Sequence, residues 1–112
     1  MGNGTGKPAH NKAEISEITS DGKSYFVYLL LCNDGSYYTG YTNNVALRFE
    51  RHKKGHGARY TRMRRPKRVV YVEEHRTRRA AIRRELKIKR LSHKEKHELV
   101  FARYRKADLI DP

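Results

Sequence analysis

An α+β domain is predicted: helices packed on a three-stranded antiparallel sheet, in the order β-β-α-β-α-α. Three observations carry this. The run Tyr25-Phe26-Val27-Tyr28-Leu29-Leu30-Leu31-Cys32 is apolar, aromatic and β-branched, and the turn signal Asn33-Asp34-Gly35 follows at once. A second Val/Tyr-rich run occupies Arg68 to His75. Between and after these runs, apolar residues recur at helical spacing behind residues suited to helix caps.

The first run is too short for a lone buried helix and reads as a central strand covered on both faces. Asn33-Asp34-Gly35 offers a glycine for positive φ, so Ser36 to Tyr41 returns as the second arm of a hairpin. Thr42, Asn43 and Asn44 are candidate caps for a helix from Val45 to about Lys54, with Val45, Phe49 and His52 on one face. Arg48 and His52 are one turn apart and project together. Gly55 and Gly57 end this helix, and Ala58 to Lys67 is expected to be a basic loop. Arg68 to His75 is the third strand. Thr77 caps a helix from Arg78 to Leu91, whose expected apolar stripe is Ala81, Ile82, Leu86 and Ile88, with Glu85 inside it. Ser92-His93-Lys94-Glu95 is a capping-box pattern opening a last helix that runs to about Tyr104.

The chain has 112 residues, which predicts one domain. Residues 1–24 hold only Ile15 and Ile18 as large aliphatics beyond Met1 and are expected to be a flexible tail. The folded domain is expected over residues 25–106, with a short C-terminal tail over 107–112. No apolar run is long enough for a signal peptide or a membrane span, so a cytoplasmic location is expected. The lone Cys32 excludes an internal disulfide and a multi-cysteine zinc site.

The formal net charge is +14, and 23 of the 26 Lys and Arg residues lie between Arg48 and Lys106. Such a surface attracts polyanions, nucleic acid foremost. Anionic membranes and simple solubility charge are the competing readings, but no basic amphipathic anchor with a wide apolar face is present.

Two tyrosine motifs stand on the arms of the predicted hairpin, Phe26-Val27-Tyr28 and Tyr38-Thr39-Gly40, with their tyrosines ten positions apart. Arg48 follows Tyr38 by ten, His52 comes one turn later, and Glu85 sits in Arg84-Glu85-Leu86-Lys87-Ile88-Lys89. This ordered set resembles the GIY-YIG nuclease superfamily. The similarity runs from about Tyr25 to Val100, and Asp34-Gly35-Ser36 and Gly57-Ala58-Arg59-Tyr60-Thr61 look like its small stand-alone members. The first motif departs at Phe26 and Val27 and the second at Thr39. Tyr41 is found near the place where some relatives carry a lysine.

The resemblance implies a metal-dependent endonuclease. Hydrolysis of a phosphodiester needs an activated water, charge neutralisation at the phosphate and stabilisation of the leaving oxygen. Glu85 would hold a single Mg²⁺ or Mn²⁺, both of which suit hard oxygen ligands. Arg48 would contact the scissile phosphate. Tyr38 would be the general base, with neighbouring cations expected to lower its pKa from about 10. Tyr28 would orient the water or the phosphate, and His52 would share the proton or contact the phosphate. The equal parity of Tyr28 and Tyr38 lets both face one side of the sheet, subject to turn length and bulges.

Each residue has an ordinary reading as well. The tyrosines can be core aromatics, Arg48 a solvated helix residue, His52 a packed histidine, and Glu85 half of an i,i+4 pair with Lys89. It is the five together that favour chemistry. For substrate binding, Arg59, Arg62, Arg64, Arg65 and Lys89, with the helix face of Arg79, Arg83 and Arg90, are candidate phosphate contacts. Tyr60 either stacks on an exposed base or packs against the first helix. The expected partner is DNA, single-stranded or branched rather than a long specific site, bound by a monomer. The alternatives are a non-catalytic nucleic-acid-binding module and a subunit of a repair complex that needs a protein partner.

Overall fold

The computed structural model describes residues 24–110, with side chains to residue 102. The expected N-terminal tail lies outside the described residues except for Ser24, which is buried and donates a hydrogen bond to Glu74. Two strands come first, β1 (Tyr25–Cys32) and β2 (Tyr37–Thr42). Two helices follow, α1 (Val45–Lys53) and α2 (Arg59–Arg64). Then come β3 (Pro66–His75), α3 (Arg78–Lys89) and α4 (His93–Ile110). The sheet order is β2-β1-β3, antiparallel throughout, which is the predicted α+β architecture. None of the described helices is long and apolar enough to cross a membrane.

The hairpin turn is closed by Gly35 N–H donating to the Cys32 carbonyl at 2.9 Å. Gly35 has φ +85, a conformation that favours glycine. Asn44 caps α1 by accepting from Leu47 N–H at 3.0 Å. Thr77 caps α3 by accepting from Ala80 N–H at 3.1 Å. At the start of α4 the capping box forms in both directions: Ser92 Oγ accepts from Glu95 N–H, and Glu95 Oε1 accepts from Ser92 N–H.

β1 is covered on both sides, as a central strand must be. On one face Phe26, Tyr28 and Leu30 pack with Val69, Val72 and Val45. On the other, Val27 and Leu29 pack with Tyr71, Ala81, Ile88 and Val100. The β1–β3 register shifts between Leu29 and Leu30, so Leu29 pairs with Tyr71 and Leu30 with Val69. That bulge leaves Val70 and Tyr71 together on the second face, where strict alternation would separate them.

Three expectations need correction. Ala58 to Lys67 is not all loop: Arg59–Arg64 forms a short helix. Its Arg, Tyr and Met side chains are compatible with helix, and Thr61, fully buried, anchors it. Leu86 does not join the apolar stripe of α3. Ala81, Glu85 and Ile88 point inward, at i, i+4 and i+7, while Leu86 is 48% exposed. Finally, α4 continues past Tyr104 to Ile110, since neither glycine nor proline interrupts the sequence before Pro112.

Candidate active site

Tyr28 and Tyr38 stand on the same face of the sheet, brought there by the register that sets Tyr28 opposite Gly40 and Leu30 opposite Tyr38. Their ring centroids are 6.3 Å apart. The absence of a side chain at Gly40 makes this possible. A Cβ there would lie 2.6 Å from Tyr28 Oη, so the glycine of the second motif is space for the tyrosine of the first.

α1 delivers His52 to the same place. His52 is 2% exposed, its ring 4.9 Å from that of Tyr38, and its Nε2 lies 3.0 Å from Tyr28 Oη. Its Nδ1 is 2.7 Å from Thr61 Oγ1, and that hydroxyl donates to the Ala58 carbonyl at 2.9 Å. Thr61 has one hydroxyl proton and gives it to Ala58. It therefore accepts from His52 Nδ1–H, and His52 Nε2 accepts the proton of Tyr28. Burial, aided by the positive charge of Arg48, pushes the His52 pKa down to about 4. The neutral imidazole this requires is thus the stable form. With both ring nitrogens engaged, His52 reaches a phosphate only by giving up one of these bonds.

Arg48 is exposed one turn before the buried His52, as expected of the i,i+4 spacing, and both side chains act on Tyr28. Its guanidinium acts on the Tyr28 hydroxyl both by charge and as a donor, and on Tyr38 by charge. Glu85 enters from α3. It is 9% exposed and its Oε2 lies 3.3 Å from Lys89 Nζ, so the expected i,i+4 pair does form. Its carboxylate is within electrostatic range of both tyrosines and raises the pKa of each. Burial is the larger influence and raises both further; Lys89 and Arg48 act against it at Tyr38 without overcoming it. The expectation of a lowered Tyr38 pKa is therefore wrong: desolvation of a half-buried phenol outweighs two solvent-facing cations.

Among the described residues no three metal-ligating side chains converge. Glu85 stands as one carboxylate beside the tyrosines. That donor set suits a Mg²⁺-like ion, which keeps several waters and takes further oxygens from a phosphate.

The basic segment divides into paired and free members. Arg64 lies 4.2 Å from the Tyr60 ring and 3.2 Å from Asp34 Oδ2, so it braces the hairpin turn. Tyr60 leans on Tyr38 at 6.0 Å rather than standing free in solvent. Arg59, Arg62 and Arg65 are exposed. Arg62 and Arg65, with Lys53 and Lys54, line a pocket of about 170 Å³ next to His52. Arg65 adopts φ +40, a rare conformation for a side-chain-bearing residue.

Thr61 and Gly57 belong to this site, and the sequence marks them only through the family resemblance of Gly57-Ala58-Arg59-Tyr60-Thr61, with no role attached. A Cβ at Gly57 would fall 2.1 Å from His52 Nδ1, so Gly57 keeps space for the ring just as Gly40 does for Tyr28.

Comparison with known proteins bears on this arrangement. The GIY-YIG catalytic domain family matches residues 24–98. A UPF0213 protein of Staphylococcus aureus strain Mu3 is 46% identical over 77 residues, which is 69% of this chain and 94% of that protein. Among solved structures, a UPF0213 protein from Bacillus halodurans is 44% identical, covering 69% of this chain and 82% of that one, with a TM-score of 0.45. A protein from E. faecalis is 36% identical, covering 80% and 91%, with a TM-score of 0.49.

Proposed function

The chain belongs to the GIY-YIG family of nuclease domains, and on that premise we propose that it is a metal-dependent endonuclease hydrolysing DNA phosphodiester bonds, on single-stranded or branched DNA and with little sequence specificity. The observation that carries this reading is the buried bond from Tyr28 to His52, made where Tyr38, Arg48 and Glu85 also act. A tyrosine that only fills a core needs a partner for its hydroxyl, but not one flanked by a second tyrosine, an arginine and a half-sequestered carboxylate.

Tyr38 is the general base. It is more accessible than Tyr28, and Arg48 and Lys89 favour its phenolate. Tyr28 donates a hydrogen bond to His52 and accepts one from Arg48, which leaves one oxygen lone pair to orient water or phosphate. Arg48, exposed and always charged, takes the scissile phosphate. Glu85 would hold Mg²⁺ or Mn²⁺, which when bound stabilises charge on the leaving oxygen. Lys89, which pairs with Glu85 at 3.3 Å, would share that carboxylate with the ion or turn to the DNA backbone. Arg59, Arg62 and Arg65 position the strand without reading bases. Selection then falls to DNA structure or to a partner protein.

The test is cleavage of single-stranded, duplex, nicked and branched DNA with Mg²⁺ or Mn²⁺, beside Glu85→Ala. Cutting by the wild-type protein, lost in the variant and on chelation, supports the enzyme. Binding without cutting under every metal condition assigns the domain to non-catalytic nucleic-acid binding instead.

A further inference from the structure

We propose that the face of the sheet opposite the tyrosine–histidine site carries a second nucleic-acid contact: a pocket that takes one nucleotide of a bound strand, its base against an aromatic wall and its phosphate against Lys67 and Arg68. Tyr37 precedes Tyr38 in β2 and so points to the other face. There it lines a pocket of about 270 Å³ with His93, His97 and Phe101, and with Lys67 and Arg68 from the start of β3.

The aromatic wall is already ordered. The Tyr37 and His93 rings stack at 5.1 Å and 25°, and His97 and Phe101 lie 4.4 Å apart. Tyr37 Oη bonds His97 Nδ1 at 2.8 Å, and His93 Nε2 donates to the Gly35 carbonyl at 2.9 Å. A ligand binding here does not have to order these side chains first. At the cationic end, Arg68 Nε is buried with no hydrogen-bond partner among the described residues. A buried donor left unpaired is costly, and the positive charges of Arg68 and Lys67 favour an anion at this end of the pocket. Among the described residues, no acidic side chain lines the pocket. Flat π surfaces beside an arginine and a lysine match a ligand that is planar at one end and anionic at the other, which is a nucleotide. The volume lies just under the lower end of ordinary ligand pockets, roughly 300 Å³, and suits one nucleotide rather than a duplex.

This site needs no hydrolysis and stands apart from the nuclease reading. The experiment follows backbone amide shifts of the full-length protein, without metal, on addition of a single-stranded thymidine oligonucleotide of about six nucleotides. Saturable shifts at Gly35, Lys67 and His93 are expected. Lys67→Glu and His93→Ala, both at exposed positions, should each weaken oligonucleotide binding about tenfold. Absent shifts at those residues, or affinity unchanged in both variants, overturns the proposal. Equal affinity for thymidine monophosphate and the oligonucleotide also overturns it, by making this a free-nucleotide pocket. A protein that binds here but cuts nothing leaves the proposal standing while removing the nuclease.

Discussion

Tyr28 Oη and His52 Nε2 lie 3.0 Å apart, and both side chains are almost wholly shut off from solvent. Thr61 sets the direction of the bond, because its own proton is committed to Ala58 and it must accept from His52 Nδ1–H. The strand, the first helix and the short second helix are thereby joined by a single file of hydrogen bonds that ends at a tyrosine oxygen in the candidate site. Its chemical consequence is a Tyr28 hydroxyl of fixed orientation, with one lone pair turned to Arg48 and one left for a ligand.

Removing that hydroxyl tests both consequences. Tyr28→Phe should lower single-turnover cleavage by about 10²-fold, the scale of a lost positioning contact. It should cost about 1–3 kcal/mol of stability, because the buried His52 Nε2 is left without its donor. A full loss of folding, or unchanged cleavage, would contradict the role given to Tyr28.

Gly57→Ala places a methyl 2.1 Å from His52 Nδ1 and must displace the ring or the backbone. A stability loss of about 1–3 kcal/mol is expected from such overpacking. At about 4–8 °C per kcal/mol for a domain this size, thermal melts resolve it readily. Gly55→Ala is the comparison, because Gly55 has φ +82 but nothing near its Cβ, so only backbone strain is incurred. Equal melting temperatures for the two variants would show that His52 is not the obstacle at residue 57.

His52 makes stability depend on pH in a defined window. Its folded pKa is about 4 against an ordinary 6.5. Between those values the unfolded chain binds a proton that the folded chain refuses, so stability falls as pH drops from 6.5 toward 4 and is fully present above 6.5. The loss is on the order of 3 kcal/mol. Denaturant melts across this range should show it, and His52→Gln should flatten the profile there.

The raised pKa of Tyr38 fixes the sign of the rate profile. Burial holds this phenol above its ordinary value, so the reactive phenolate is scarce at neutral pH and increases with alkalinity. Cleavage under kcat/KM conditions should therefore climb about tenfold per pH unit through the neutral range, without the plateau that a lowered pKa would produce. A flat profile from pH of about 7 to 9 would remove Tyr38 as the base.

Much of this was legible in the residues themselves. The central strand shows as eight apolar positions, the turn as Asn-Asp-Gly, and the last helix start as Ser-x-x-Glu, because each depends on neighbours within a few residues. Tyr28, Tyr38, Arg48, His52 and Glu85 could be picked out together because their order and spacing match a family. Their surroundings could not. Thr61 gives no sign in the sequence that it holds His52 across a turn. Arg64 reads as one more cation, although it is spent on Tyr60 and Asp34.

The sequence by itself determined the element order, the two-sided central strand and the identity of the side chains able to do chemistry, since hydrophobic period and capping residues act locally. Only the tertiary structure decided that the His52 imidazole is neutral and bonded at both ends, that Gly40 and Gly57 are space for rings, and that Tyr38 is harder to ionise rather than easier. Those outcomes depend on burial and on contacts between distant residues. Desolvation is set by what surrounds a group in three dimensions, and no spacing along the chain encodes it.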